Sequence, residues 1–338
     1  MHEKPTSFDI AYLAGVSQPT VSRALRGSPV VNLETRRRIE EIARQLNYRV
    51  DKNASNLRSQ HSNTLALLLF EDPTPDESQI NPFFLSMLGS LTRASALRGY
   101  DLLISFQQLS RDWTMDYEDC RRADGIILLG YGDNEAYRPR LERLVEQGTH
   151  FVRWGPVLEG QPGISIGCDN LQGSYDVTQH LLRTGRHKIA FLGTATSHYP
   201  EFLDRYRGYE RALMEVRASM SAALQVDAIT TEESGHQATM ELRSRGVEFD
   251  AIVAASDLIA IGALRALQES GVEVPRQVAV AGFDDIPAAS LTNPPLTTVM
   301  QDTRRAGELL VETLLRQING EPASNSVIPT KVILRKSG

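Results

Sequence analysis

The chain has 338 residues, 41% of them hydrophobic and 23% charged, with a net charge of −6. This is the make-up of a folded globular protein of two or three domains, and it excludes a disordered or low-complexity chain. No apolar run is long enough to span a bilayer, the opening "MHEKPTSFDI" lacks the apolar core of a secretory signal, and Cys120 and Cys168 form no CxxC pattern, so a reducing cytoplasm is the expected compartment.

The charge is uneven. Residues 1–62 hold ten Lys or Arg against six Asp or Glu, a local +4 that leaves −10 on the remainder. A basic head on an acidic body is expected where the head meets a polyanion. In chain order, "SFDIAYLAG" predicts a first helix with Phe8, Ala11, Tyr12 and Ala14 on its inner side and Gly15 as its stop. "SQPTVSRALRG" predicts a second helix, with Ser17 as N-cap to the N–H of Thr20 and with Val21 and Leu25 facing inward. Pro19 falls in its first turn, where an N–H has no intrahelical partner to lose. "NLETRRRIEEIARQLNY" predicts a third helix, capped by Asn32, with Ile39, Ile42, Ala43, Leu46 and Tyr48 as the buried stripe. The polar "RVDKNASNLRSQHSN", with the isolated Leu57, reads as a linker.

From residue 64 the pattern changes. Short apolar runs at 64–70, 101–106, 124–130, 150–155, 188–193, 223–229, 250–256 and 278–285 read as strands. Helical stretches lie between them, at about 83–98, 138–147, 171–184, 205–216, 235–245, 257–270 and 303–319. Strict strand–helix alternation predicts α/β architecture with parallel sheets covered on both faces, and this many strands predicts two lobes. Ligands in such folds bind beyond the carboxyl ends of strands.

Two sets of residues carry recognisable chemistry. In the head, short helices joined at "AGVS" fit a helix-turn-helix. The outer face of its second helix carries Gln18, Ser22, Arg23 and Arg26. Gln pairs with adenine and Arg with guanine in the major groove, while Thr20, Ser22 and the run Arg36, Arg37, Arg38 suit phosphates. In the body, "GFDDIPAAS" places Asp284 and Asp285 at a strand's carboxyl end, "AASDLIA" does the same for Ser256 and Asp257, and Arg205 lies in "DRYRGY". Carboxylates and an arginine above strand ends can hold polyhydroxylated or anionic ligands. Asp257 reads more as a helix cap than as a ligand contact, and Asp285 equally as a loop-closing carboxylate. His150, His180, His187, His198 and His236 are scattered, and no HExxH, GxSxG or GxxxxGK[ST] occurs. No metal, cofactor or catalytic site is therefore expected.

"DIAYLAGVSQPTVSRALRGSPVVNLETRRRIEEIARQLNYRVDKNASNLRSQ" closely resembles the head and hinge of the lactose-repressor (LacI/GalR) family of bacterial transcription regulators. "INPFF", "CDNLQGSYDVTQHLLRTGRHKIAFLG", "DRYRGYERAL" and "SDLIAIGALRALQESGVEVPRQVAVAGFDDIPAASLTNPPLTTV" resemble its body, in its order. The resemblance implies a helix-turn-helix head over 1–50, a hinge over 51–62 and a periplasmic-binding-protein-like core of two doubly wound parallel-sheet lobes over 63–338. The expected lobes are about 63–166 with 297–324, and 167–296 with 325–338, the chain crossing between them three times. It implies a DNA-facing set of Ser17, Gln18, Pro19, Thr20, Ser22, Arg23, Arg26 and Asn32, joined in the hinge by Asn53 and by Leu57, which wedges into the minor groove. Pro19 stands where relatives have a base-contacting side chain. It offers only apolar contact, for example to a thymine methyl, so Gln18, Arg23 and Arg26 are left to make most polar base contacts. In the cleft, Arg205 and Asp284 match effector-binding positions, and Ser256 stands at a polar position that is often asparagine. Phe83, Arg153, Trp154 and the crossover residue Gln301 join this effector set.

The function implied is a ligand-responsive repressor that binds a near-palindromic operator as a homodimer. Its effector would be a sugar or, alternatively, a nucleoside or purine. Since the chain ends at "ILRKSG" without the leucine-rich helix of the tetrameric relatives, a dimer is expected. The competing readings are a transport or sensory binding protein with the head as an interaction module, and an enzyme on the same sheets.

Overall fold

The structure is a computed structural model describing residues 5–25, 27–48, 61–70, 80–107, 117–118, 120–130, 132–218 and 221–338. Contacts divide the chain into two units, Met1–Ser62 and Asn63–Gly338.

Among the described residues of the first unit are three helices, α1 (Ser7–Ala14), α2 (Gln18–Leu25) and α3 (Leu33–Gln45). Thr6 and Asp9 cap α1 reciprocally: the Thr6 N–H donates to Asp9 Oδ2 at 2.7 Å, and the Asp9 N–H to Thr6 Oγ1 at 3.4 Å. Gly15, at φ 62°, ends the helix in the left-handed region, as its place in the sequence predicts. The core is Ile10, Ala11, Ala14, Val21, Ala24, Ile39 and Ala43. The inner face of α1 is thus rotated from the one expected. Phe8 and Tyr12 are 71% and 87% exposed, and Ile10 is buried in their place. The reason is volume, since helices this short meet at alanines and leave no room for a ring. Likewise Ala24 is fully buried in α2, while Leu25 only packs against the core.

The second unit opens with β1 (Thr64–Phe70), α4 (Pro82–Leu97), β2 (Asp101–Gln107), β3 (Gly125–Leu129), α5 (Asn134–Glu146), β4 (Phe151–Trp154) and β5 (Ile164–Cys168). It continues through α6 (Asn170–Arg183), β6 (Ile189–Leu192), α7 (Pro200–Glu215), β7 (Gln225–Val226), α8 (Glu232–Ser244), β8 (Ala251–Ala254), α9 (Asp257–Glu269) and β9 (Ala279–Ala281). β10 (Thr298–Met300), α10 (Thr303–Ile318), β11 (Ser326–Ile328) and β12 (Lys331–Ile333) complete it.

Two parallel sheets result, in the orders β11-β5-β4-β3-β1-β2 and β7-β6-β8-β9. The continuous apolar run of β1 follows from burial on both faces. Leu65, Leu67 and Leu69 join the core containing Phe83, Met87 and Leu91 of α4, and Ala66 and Leu68 join that of Leu141 and Leu144 from α5. The chain leaves the first sheet after β5, returns through β10 to α10 and β11, and leaves again for β12, whose antiparallel partner is β10. This makes three crossings between lobes. The sixth strand of the first sheet, β11, comes from beyond residue 324. The run at 223–229 becomes a 3-10 turn, Ala222–Leu224, followed by the two-residue β7, so most of that expected strand does not form.

Candidate DNA-reading helix and interlobe site

α2 presents Ser17, Pro19 and Arg23 to solvent, with Gln18, Thr20 and Ser22 half-buried. The expected cap takes another form. The Thr20 N–H donates to the Ser17 carbonyl oxygen at 2.9 Å, and the two hydroxyls meet each other at 2.9 Å. The Val21 N–H also reaches the Ser17 carbonyl, at 3.2 Å. Gln18 Nε2 donates across to Ser7 Oγ of α1 at 3.2 Å, so this side chain ties the two helices of the motif together. Asn32 caps α3 as expected, its Oδ1 accepting from the Thr35 N–H at 2.8 Å. In the basic run, Arg36 Nε pairs with Glu40 at 3.1 Å, while Arg37 and Arg38 are exposed. Arg26, Asn53 and Leu57 lie outside the described residues.

The lobes meet around Arg205 and Asp284, which are 1% and 3% exposed. Gly208, one turn along α7, lets this helix lie against α6, since a Cβ there would stand 2.1 Å from the Leu171 carbonyl oxygen. That approach brings Arg205 Nε to Asn170 Oδ1 at 2.8 Å. Arg205 Nη1 donates to the Ala255 carbonyl at 2.5 Å and lies 3.4 Å from Asp284 Oδ1. The guanidinium carbon sits 3.9 Å from the Phe283 ring centroid. Asp284 adopts φ 118°, a region that side chains rarely enter at a cost of about 1–3 kcal/mol. Its N–H bonds to the Val299 carbonyl at 2.8 Å and its Oδ1 accepts from Gln301 Nε2 at 2.6 Å, so the crossover holds the strained residue in place.

Beside this network lies a cavity of about 290 Å³ lined by Phe83 and Ser86 from the first lobe, Asp284 and Asp285 from the second, Gln301 from the crossover and Arg304 from α10, among others. The structure thus gathers Phe83, Asp284 and Gln301 at one cavity, with Arg205 behind Asp284. It places three other candidates elsewhere. Trp154 is buried with its ring 6.1 Å from that of Phe83. Arg153 turns into the first lobe, donating from Nε to Ser165 Oγ at 2.7 Å and from Nη2 to the Pro156 carbonyl at 3.0 Å. Burial pushes its pKa down to about 10, against the opposing pull of Glu201. Ser256 is the N-cap of α9, its hydroxyl accepting from the Ile259 N–H at 3.4 Å.

Asp257 is fully buried and binds the loop of the cavity, accepting from the Ile286 N–H at 2.8 Å and from Thr298 Oγ1 at 2.5 Å. Burial first, and the nearby Asp284 second, raise its pKa well above the usual carboxylate range. Asp285 closes its loop through Arg335 at 2.6 Å. Sequence reasoning missed Asn170, Arg304 and Arg335. Asn170 carried a weak signal, since it opens a helix directly after a strand, whereas Arg335 meets Asp285 only through the third crossing. Among the described residues, no group of three or more His, Cys, Asp or Glu could hold a metal.

Residues 8–51 match the description "Bacterial regulatory proteins, lacI family", and residues 178–338 match "Periplasmic binding protein-like domain". The chain is 31% identical to the HTH-type transcriptional regulator RegA of Clostridium saccharobutylicum, over 97% of this chain and 98% of that protein. It is 27% identical to the ribose operon repressor of Escherichia coli, over 98% and 99%. Among solved structures it is similar to a lac repressor dimer bound to operator and the anti-inducer ONPF, with TM-score 0.85, 25% identity and 99% of each chain covered. It is also similar to a complex of the regulator CelR with cellobiose, with TM-score 0.74, 29% identity, and 99% and 100% covered.

Proposed function

Starting from the premise that the chain belongs to the LacI family of bacterial regulatory proteins, and is a ligand-responsive transcriptional regulator and not an enzyme, we propose that it is a cytoplasmic repressor acting as a homodimer on a near-palindromic operator. Operator binding would bring it to the nucleoid. One α2 enters the major groove of each half-site. Arg23 and Arg26 read base edges, Gln18 does so after leaving Ser7, and Pro19 adds an apolar contact. Ser17, Thr20, Ser22 and the amide of Asn32 hold phosphates, and Asn53 and Leu57 of the hinge meet the DNA with Leu57 in the minor groove. The effector is a sugar. The names of the ribose repressor and of the cellobiose-bound CelR support that class. Arg205, Asp284 and Gln301 offer it fixed polar groups, Phe83 an apolar wall, and Trp154, Arg153 and Ser256 brace the surrounding structure.

The observation that carries this reading is the strained Asp284, held between Arg205 and Gln301 at the edge of an interlobe cavity. A ligand bridging these groups binds one lobe arrangement better than another, and only such a difference in affinity moves the equilibrium. The test has two stages. A thermal-shift screen of sugars, with nucleosides and purines as the competing class, identifies what the folded protein binds. Operator titrations with and without the hit then follow. A protein that prefers no palindrome over random duplex would falsify the proposal, and one that binds only nucleosides removes the sugar assignment.

A further inference from the structure

A second set of contacts joins the lobes and shares no residue with the cavity. At the start of α5, in the first lobe, Asp133 caps the helix, its Oδ1 accepting from the N–H groups of Glu135 and Ala136 at 3.0 Å each. Its Oδ2 faces Nδ1 of His198, in the second-lobe loop between β6 and α7, at 2.9 Å. Beside it Ser197 Oγ donates to Glu135 Oε1 at 2.9 Å, and the Asn134 N–H donates to the His198 carbonyl at 2.9 Å. Glu135 Oε2 stands 3.7 Å from His198 Nε2. One loop of the second lobe is thereby pinned to the first turn of one helix of the first.

We propose that this contact is a proton-operated clasp, in which protonation of His198 closes the two lobes on each other. The imidazole lies between two carboxylates. When neutral it has one N–H, so donating from Nδ1 to Asp133 leaves a lone pair on Nε2 facing Glu135. The imidazolium donates to Asp133 and is attracted by both acids. Of the other charged groups nearby, Arg153 reaches this turn, its Nη1 donating to Asn134 Oδ1 at 3.3 Å. Arg138, one turn along α5, is held by Glu142 and the Gly160 carbonyl, and Glu201, at the start of α7, is buried and influenced by Arg153 and Arg205. The positive end of α5 opposes a cation, but Asp133 already accepts from the N–H groups that point there.

The titration directions agree. The hydrogen bond from His198 to Asp133 and the charges of Asp133 and Glu135 raise the histidine above its ordinary 6.5, against the effect of burial. Burial would raise Asp133, but the N–H of Ala136, His198 and the N–H of Glu135 together hold it below its ordinary value. Opening the clasp parts the half-exposed His198 from both carboxylates, so the closed arrangement binds the proton more tightly. Closure is therefore favoured most below pH 6.5 and weakens as pH rises through the raised pKa. For the regulator proposed above, an acidified cytoplasm would slow effector release from the cleft. That consequence rests on the proposed function, whereas the clasp itself does not.

The test uses the full-length protein without DNA or effector. In a Cys120→Ser background, Glu146→Cys on α5 and Arg207→Cys on α7 carry spin labels, and the buried Cys168 stays unlabelled. Pulsed EPR distances are compared at about pH 5.5 and about pH 8.5, on either side of the histidine range. The interlobe distance is expected to lengthen at the higher pH, and His198→Gln is expected to remove that dependence. By NMR, His198 should titrate above 6.5, and Asp133→Asn, which keeps a helix-capping side chain, should lower its midpoint. A distance unchanged while His198 ionises, a shift that persists in His198→Gln, or a midpoint at or below the ordinary value each overturns the clasp.

Discussion

Arg205 is a buried cation that donates to an amide and a backbone carbonyl and stands beside a carboxylate. Removing one member of a buried pair leaves the other charge without compensation, typically at about 3–5 kcal/mol. Arg205→Ala should therefore lower the unfolding free energy of the second unit by an amount in that range, read as a lower urea midpoint at little changed slope, and abolish binding of any sugar found by thermal shift. Arg205→Lys keeps the charge but not the forked geometry, so it should recover part of the stability and not the binding. Pro19 is the opposite case, an exposed ring in a first turn. Pro19→Gln should leave the melting transition within about 0.5 kcal/mol of the parent while changing which half-sites are enriched from a randomised duplex pool. Identical enriched sequences would show that Pro19 takes no part in operator choice. Both residues were legible in the sequence, Arg205 from its placement near a helix start and Pro19 from its clash with ordinary helix grammar. Arg335 was not, because its meaning comes from Asp285, fifty residues away in the chain.

Among elements, α7 shows how packing positions chemistry. Gly208 permits contact with α6, and Arg205 lies one turn before it on the same helix. Gly208→Ala should cost about 1–3 kcal/mol by overpacking and weaken sugar binding as well, because the helix must shift to admit the methyl group. Full affinity in a destabilised Gly208→Ala protein would show that Arg205 tolerates movement of α7. The long elements were readable because an apolar run or a 3.6-residue period persists for several turns. Expected and observed limits of α4 and α6 differ by one residue at each end, and those of α9 and α10 by one residue at the C-terminal end alone. The strands β5, β10, β11 and β12 were not. β10 and β12 have three residues each and no internal period, and they exist because the crossings lay them side by side. The rotated face of α1 has a similar cause. Phe8 and Tyr12 share a helical side with each other, but the alanines of the neighbouring helices decide which side faces in.

At the scale of the molecule, regulation is a coupling between two ligands of one chain, and such coupling is reciprocal. If a sugar changes operator affinity by some factor, saturating operator must change sugar affinity by the same factor. Calorimetric titration of the sugar with and without operator duplex checks this, and unequal factors would mean that the two sites do not bias one shared equilibrium. The sequence by itself determined what is local: where the helices and the longer apolar strands lie, that a basic three-helix head precedes an acidic α/β body, and which residue types stand at strand ends. Tertiary structure decided which of these residues meet. It brought Phe83, Asp284 and Gln301 to one cavity, turned Arg153 into the first lobe, made Ser256 a cap, and set His198 between two carboxylates of the other lobe. The physical reason is that propensity and periodicity act over a few residues, whereas a site is made by crossings and close approaches between segments far apart in the chain.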